Sequence, residues 1–130
     1  PETEHIINTN KNITFTGYQE DIRPYFSISD VLAFPTYREG FPNVVMQACA
    51  MSLAAIVTDI NGCNEIIDHN KNGIIIPPKD EQALYTAMKY MLNNPEKVKT
   101  MSQNSRSKII ANYEQELVWK SLLQEYNQLI

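Results

Sequence analysis

The stretch Tyr37 to Ala48, YREGFPNVVMQA, sets a carboxylate, Glu39, and an amide, Gln47, eight residues apart around a Gly-Phe-Pro turn. Gly40 lets the backbone approach a ligand closely and Pro42 fixes φ. A helix starting at Asn43 would aim unbonded N–H groups and its positive dipole end outward, which makes a seat for phosphate. Gln47 lies about 6 Å along such a helix from Asn43, with its side chain leaning back toward the start, so it reaches a sugar beside that phosphate. Glu39, on the other side, repels phosphate oxygens but accepts well from hydroxyls, so it suits a sugar. Many α/β proteins carry a Gly-containing loop before a helix without binding nucleotides, and a plain structural turn is the alternative at this point.

The surrounding pattern supplies elements to position that turn. Residues 31–34, VLAF, read as a parallel strand buried on both faces and stopped by Pro35. Asn43 is placed to cap a helix running to about Met51, and Ala55 to Thr58 reads as the next buried strand. Upstream, Asn12 to Thr16, NITFT, has the bias of a short strand closed by Gly17. Asp21 is placed to cap a helix through IRPYFSIS, with Pro24 in its first turn and Asp30 at its end. Downstream come a short helical piece at Asn64 to Asp68, a strand at 73–77, and a long helix capped by Asp80 with apolar residues at 84, 87, 88, 91 and 92. Pro95 begins another helix to about Asn112. Glu114 to Ile130, with Leu117, Val118, Leu122 and Tyr126 near helical spacing, is expected to fold back on the domain. Pro1 to Asn12 reads as the tail of a helix, and a chain that begins without Met is expected to be a fragment.

Strands alternating with helices at short spacing imply parallel, right-handed βαβ units, hence an α/β, doubly wound sheet with flanking helices in one domain, 1–130. Ligands of such sheets bind outside the carboxyl ends of the strands. Loops 17–20, 35–43, 59–65 and 77–80 are therefore expected to share one rim. Asp59, Asn61, Gly62 and Glu65 are secondary candidates there, with turn and helix-cap roles as the alternative.

Composition narrows the function. With 43% hydrophobic residues in 130, the chain can bury a core. Eleven basic and 15 acidic residues give a net charge of −4, with no Lys/Arg stripe to match a row of phosphates, so nucleic acid is excluded as a partner. The longest nearly apolar stretch, Val44 to Val57, is broken by Gln47 and Ser52 and is shorter than the roughly 20 residues a membrane span needs. Cys49 and Cys63 form no CxxC and have no His at ligand spacing, so they read as reduced thiols of a cytosolic chain. His5 and His69 read as surface residues.

From about Thr14 to Arg106, the segments FTGYQEDIRPYF, SDVLAFPTYREGFPNVVMQACA, AAIVTDINGCNEII and NGIIIPPKDEQAL resemble the C-terminal, donor-binding domain of a retaining glycosyltransferase of family 4 (group 1). The resemblance implies a Rossmann-like sheet, the C-terminal half of a GT-B fold. That family's signature is Glu, seven residues, Glu. Glu39 matches the first and Gln47 stands at the second, a departure. Ser52 and Ala54 also stand where the family carries Gly and Pro.

The resemblance implies that Glu39 binds the donor sugar or acts in catalysis and that Gln47 holds the ribose. The backbone at Gly40, Phe41 and Pro42 would border sugar and phosphates, Asn43 and Val44 would sit at the phosphate-facing helix start, and the base would lie near Gly17, Tyr18 and Ile22. Packing is the alternative for Phe41, a surface aromatic for Tyr18, and an ion pair for Arg38, otherwise a donor-binding group. No cofactor or metal is implied, because helix dipoles and cations stabilise the leaving diphosphate, and the family's basic pair lies upstream of Pro1. The activity implied is sugar transfer from a UDP- or GDP-sugar to a glycan or lipid-linked acceptor, as in polysaccharide synthesis. The acceptor would be held by an N-terminal domain outside this chain, so the fragment alone would not transfer sugar. The location implied is cytoplasmic, with the full-length protein able to sit peripherally at the inner membrane. The competing readings are another GT-B enzyme such as a sugar-nucleotide epimerase, and a degenerate nucleotide-sugar-binding module, for which Gln47 is the best argument.

Overall fold

The computed structural model describes residues 2–129. Strands β1 (Val31–Phe34), β2 (Ala54–Thr58) and β3 (Gly73–Ile76) form one parallel sheet in the order β1-β2-β3. Helix α3 (Asn43–Ala50) links the first two strands and α4 (Cys63–Ile66) the second and third. Helices α1 (Glu2–Thr9) and α2 (Arg23–Ser27) precede the sheet, and α5 (Glu81–Asn93), α6 (Pro95–Tyr113) and α7 (Gln115–Gln128) follow it.

The continuous apolar run of β2 puts it at the centre, and every residue of the strand is buried. Its side chains alternate between two cores, as the two-residue period of a strand requires. Ala55 and Val57 pack with Val45 and Cys49 of α3, Cys63 and Ile66 of α4, and Ile109 of α6. Ala54 and Ile56 pack on the other face with Ile74 and Ile76 of β3, Ala87 and Met91 of α5, and Met101 of α6. Both faces are therefore helix-covered, the Rossmann-like arrangement expected from the strand and helix alternation.

Helix α5 begins where Asp80 accepts a hydrogen bond from the Ala83 N–H at 2.8 Å, and its apolar stripe turns Ala87 and Met91 inward. Helix α6 is bolted to the sheet by polar contacts as well as by its apolar face. Ser102 Oγ accepts from the first β2 amide, Ala54 N–H, at 3.2 Å. Arg106 donates to the Ala50 carbonyl at the end of α3 at 2.5 Å. The buried Ser105 hydroxyl donates to the Asn72 carbonyl at 2.9 Å, and Lys108 Nζ pairs with Asp68 at 2.8 Å. Asn72, itself buried, donates to the Ile66 carbonyl and accepts from the Asp68 N–H.

Several expectations are corrected. Residues 12–16 form no strand and lie exposed. A strand exists only by pairing, and among the described residues no segment lies alongside NITFT. Helix α2 is short, with Ile22 rather than Asp21 at its N-cap position. Asp21 still accepts from the Arg23 N–H at 3.0 Å and pairs with its guanidinium. Helix α4 starts and stops earlier than the expected 64–68. At α3 the N-cap is Pro42, not Asn43, and no side-chain cap bond forms, because the proline's extended backbone leads straight into the first turn. Helix α7 forms but buries none of its residues. Leu117, Val118, Leu122 and Tyr126 remain exposed, so α7 follows α6 without closing over the domain. Pro1 and Ile130, the ends of the two expected terminal helices, lie outside the described residues.

The end of α3 accounts for one departure from the family pattern. Ser52 takes φ 62, a left-handed conformation. Its N–H bonds the Cys49 carbonyl at 3.0 Å, and the Leu53 N–H bonds the Ala48 carbonyl at 3.0 Å. These paired bonds are the Schellman closure, in which glycine is the favoured residue. The left-handed strain of a side chain there is partly offset by the greater unfolded-state freedom of glycine. Ser52→Gly should therefore raise the melting temperature by about 3 °C, read by scanning calorimetry.

Candidate functional site

The register sets Phe34 opposite Val57 and Thr58 opposite Ile76, so the three strands end together and the segments after them leave one rim. The first of these, residues 35–42, is pinned by three hydrogen bonds. The Thr36 N–H bonds the Phe34 carbonyl at 3.0 Å, closing a tight turn at the strand end. The buried Thr58 hydroxyl at the end of β2 donates to the Thr36 carbonyl. The Thr36 hydroxyl donates to Glu39 Oε1 at 2.9 Å. The Glu39 carboxylate is thus half-buried and oriented from the sheet through two threonines.

Glu39 also lies near the turn that opens α4. The Cys63 thiol is pushed up to about 11, chiefly by burial and secondarily by the Glu39 charge. The Cys49 thiol is likewise pushed up to about 11 by burial, against the opposing effects of Ser105 and Lys108. Both thiols are unbridged, buried and protonated at neutral pH, and serve the core.

Gly62 supports the loop from below. It adopts φ 81, and a Cβ built on it would lie 2.6 Å from the Gly40 carbonyl oxygen and 2.8 Å from Pro42 Cδ. Only glycine allows the 40–42 backbone to rest on the α4 turn so closely. Glu65 Oε1 accepts from the Gly62 N–H at 3.3 Å, and Asn64 donates to Asp59 Oδ1 at 3.0 Å. Asp59, Gly62 and Glu65 therefore have the turn and cap roles that were the alternative, while Asn61 is exposed.

Pro42 is buried, and its carbonyl accepts from the Val45 and Met46 N–H groups at 3.0 and 3.2 Å. The amides of Asn43 and Val44 precede the first helical bond and have no partner within α3. They sit at the positive end of the helix, beside the loop that carries Glu39. Gln47 is exposed on the following turn.

The remaining candidates separate. At Gly40 the space a Cβ would occupy is open and φ is not positive, so what this glycine provides is clearance above the loop. Arg38 is exposed and makes no ion pair among the described residues. Phe41, 40% exposed, packs: its ring centroid lies 5.6 Å from that of Tyr113 at 54°. Val44 and Ile22 pack around Phe26, Ala48 and Leu53. Gly17 takes φ 63, and Tyr18 stands in solvent at 90% exposure. His5 and His69 are exposed, and the His69 Nδ1 accepts from the Ile75 N–H at 3.0 Å.

Across the rim, a cleft of about 360 Å³ separates the β1 loop from the start of α5, lined by Tyr37, Thr58, Lys79 and Glu81 among others. Lys79 Nζ lies 5.9 Å from the Tyr37 ring centroid. A larger groove runs between β3 and α5, and neither it nor the smaller cleft is lined by the predicted site residues. Thr36, Thr58 and Tyr113 were not anticipated. A threonine closing the β2 run was a visible hint for Thr58, whereas nothing local marks Tyr113.

The family model for glycosyl transferases group 1 matches residues 4–108. The chain belongs to the glycosyl transferases group 1 family. Its relatives include the Staphylococcus aureus capsular polysaccharide biosynthesis glycosyltransferase CapM, 25% identical over 99% of this chain and 34% of its own length. Another is the Escherichia coli UDP-Gal:alpha-D-GlcNAc-diphosphoundecaprenol alpha-1,3-galactosyltransferase, 29% identical over 80% of this chain and 27% of its own length. The chain thus spans about a third of the length of relatives it matches. Among solved structures, sucrose-phosphate synthase of Thermosynechococcus elongatus superposes with a TM-score of 0.88 at 28% identity, covering 98% of this chain and 33% of that one. Anabaena Alr3699/HepE, solved with UDP, superposes at 0.90 with 18% identity over 98% of this chain and 36% of that one, a likeness of fold. The group 1 domain here is the Rossmann-like α/β unit of the GT-B glycosyltransferases. Among the described residues no helix is long and apolar enough to cross a membrane.

Proposed function

We propose that this chain is the C-terminal, donor-binding domain of a retaining family 4 glycosyltransferase, which moves a sugar from a UDP- or GDP-sugar to a glycan or lipid-linked acceptor. The observation that carries the reading is one juxtaposition: the Glu39 carboxylate, fixed by Thr36, shares a strand-end rim with the unbonded amides at the start of α3. A negative diphosphate gains from those amides and the helix dipole, while hydroxyls of its sugar donate to a carboxylate held in place before they arrive. Group 1 membership supports the same chemistry, as do relatives named for capsule synthesis and for transfer from UDP-Gal.

In this reading Glu39 is the catalytic residue, stabilising charge that develops on the sugar ring. Gly40, Phe41 and Pro42 contribute backbone to the sugar and phosphate pocket, Asn43 and Val44 donate to phosphate, Arg38 adds positive charge at its margin, and Gln47 binds ribose. The base lies against Gly17, Tyr18 and Ile22. The reaction uses no protein-bound metal. An upstream N-terminal domain brings the acceptor and the cations that stabilise the leaving diphosphate, so the 130-residue chain binds donor without turning it over. The enzyme works in the cytoplasm, at the face of the membrane where its acceptor is lipid-linked.

Calorimetric titration of the chain with UDP-glucose and GDP-mannose, with and without EDTA, tests the reading. Saturable binding that survives EDTA is expected. Absence of binding to every nucleotide sugar, or binding restored only by Mg²⁺ or Mn²⁺, contradicts it. Gln47→Glu replaces a neutral acceptor with a charged one, a gain of about 1 kcal/mol, so donor affinity should rise roughly fivefold. In the full-length enzyme the change should appear in KM and leave kcat unaltered, because a ribose contact serves ground and transition states alike. An unaltered affinity would remove Gln47 from the site.

A further inference from the structure

We propose that Tyr113 is a positioning residue for the donor loop: from the last position of α6 it holds Phe41, and through Phe41 the 40–42 backbone at the entrance to α3. The inference rests on the reading that this loop receives a nucleotide sugar, and it assigns the loop a support that the loop's own sequence does not contain. Tyr113 lies beyond the segment matched by the family model, which ends at residue 108.

The contacts form a closed circuit. Phe41 meets the Tyr113 ring at 5.6 Å in a tilted geometry, within the range of separations at which aromatic pairs attract. The Tyr113 hydroxyl donates to the Glu65 carbonyl at 3.0 Å. Glu65 in turn accepts from the Gly62 N–H, and Gly62 lies directly against the Gly40 carbonyl and Pro42. The loop is therefore held by the α4 turn and by an aromatic ring, and both holds converge on Glu65. Burial, reinforced by the charges of Glu65 and Asp68, pushes the Tyr113 hydroxyl above its ordinary value, so it stays a donor throughout the neutral range.

The anchor is itself tied to the rest of the domain. Lys108 and Ser105, one and two turns earlier on α6, are tied to Asp68 and Asn72. Immediately after Tyr113 the helix breaks at Glu114, where ψ is 137. Tyr113 is the last residue of α6, and its ring meets Phe41 of the loop. Without it, Phe41 would lose its ring partner, and the amides at the start of α3 would lose part of their preorganisation.

The test compares Tyr113→Leu, Tyr113→Phe, Phe41→Leu and the Tyr113→Leu/Phe41→Leu double variant of this chain by amide hydrogen exchange and by titration with UDP-glucose. Tyr113→Leu should speed exchange about tenfold at Val45 and Met46, whose amides bond the Pro42 carbonyl at the end of the loop, while Ile56 in β2 changes little, and should weaken UDP-glucose binding about fivefold. Tyr113→Phe keeps the ring but loses the bond to the Glu65 carbonyl, and should fall between the parent chain and Tyr113→Leu in both properties. Phe41→Leu should match Tyr113→Leu, and the double variant should be no worse than either, the signature of one shared contact. Unchanged exchange at Val45 and Met46 in Tyr113→Leu overturns the inference. So does faster exchange spread equally to Ile56, or an additive double variant. If the parent chain binds neither UDP-glucose nor GDP-mannose, the donor reading fails, and with it the purpose assigned here, while the exchange measurements decide separately whether Tyr113 holds the loop.

Discussion

Gly62→Ala should destabilise the chain by about 3 kcal/mol and lower its melting temperature by about 10 °C. Two costs combine. The residue sits at φ 81, where an L side chain is strained, and the added methyl would press on the Gly40 carbonyl oxygen and the Pro42 ring. Neither neighbour is the far end of a flexible side chain, so relief requires the 40–42 segment to lift away from α4. The same substitution should therefore weaken nucleotide-sugar binding beyond what lost stability explains. Gly17→Ala is the control: Gly17 also has positive φ, but nothing lies within 4 Å of the added atom. It should cost only the backbone strain, about 1 kcal/mol. Equal melting temperatures for the two variants would show that the contact between loop and α4 turn contributes nothing.

Glu39→Gln in the full-length enzyme should lower kcat tenfold or more with a smaller change in KM. The carboxylate is preorganised before substrate arrives, by the Thr58 hydroxyl on the Thr36 carbonyl and the Thr36 hydroxyl on Glu39 itself. A fixed charge beside a centre that develops positive charge is worth more in the transition state than in the ground state. Glutamine keeps the shape and loses the charge, so the loss belongs mainly to the chemical step. Steady-state kinetics with a saturating donor read it directly, and a silent substitution would assign Glu39 to the turn alone.

The elements nearest the site were the most readable, for local reasons. The run ending at Thr58 is a continuous apolar segment that only a two-sided burial satisfies, and every residue of β2 is buried. VLAF also forms a strand, but at the sheet edge, where none of its residues reaches the expected burial. Asp80 caps α5 with its own side chain. The turn at 38–43 could be read because a carboxylate, a glycine and a proline in that order between a strand and a helix restrict its conformation. What escaped depends on partners distant in sequence. NITFT has strand composition, yet a strand needs a neighbour to bond with. Asn43 has the chemistry of a helix cap, but the preceding proline takes that position. The apolar spacing in α7 implies a covered face, and among the described residues the face is left exposed. The grip on Phe41 comes from Tyr113, far along the chain, and no spacing rule links the two.

Backbone amide chemical shifts of the isotopically labelled chain during titration with UDP-glucose test the central claim most directly, because they report where the ligand sits without requiring turnover. Binding at the rim predicts the largest shifts at Gly40, Phe41, Asn43, Val44 and Gln47, with smaller ones at Gly62. Shifts centred on Ile74, Ala83 and Thr86, in the groove between β3 and α5, with residues 39–47 unmoved, would contradict it.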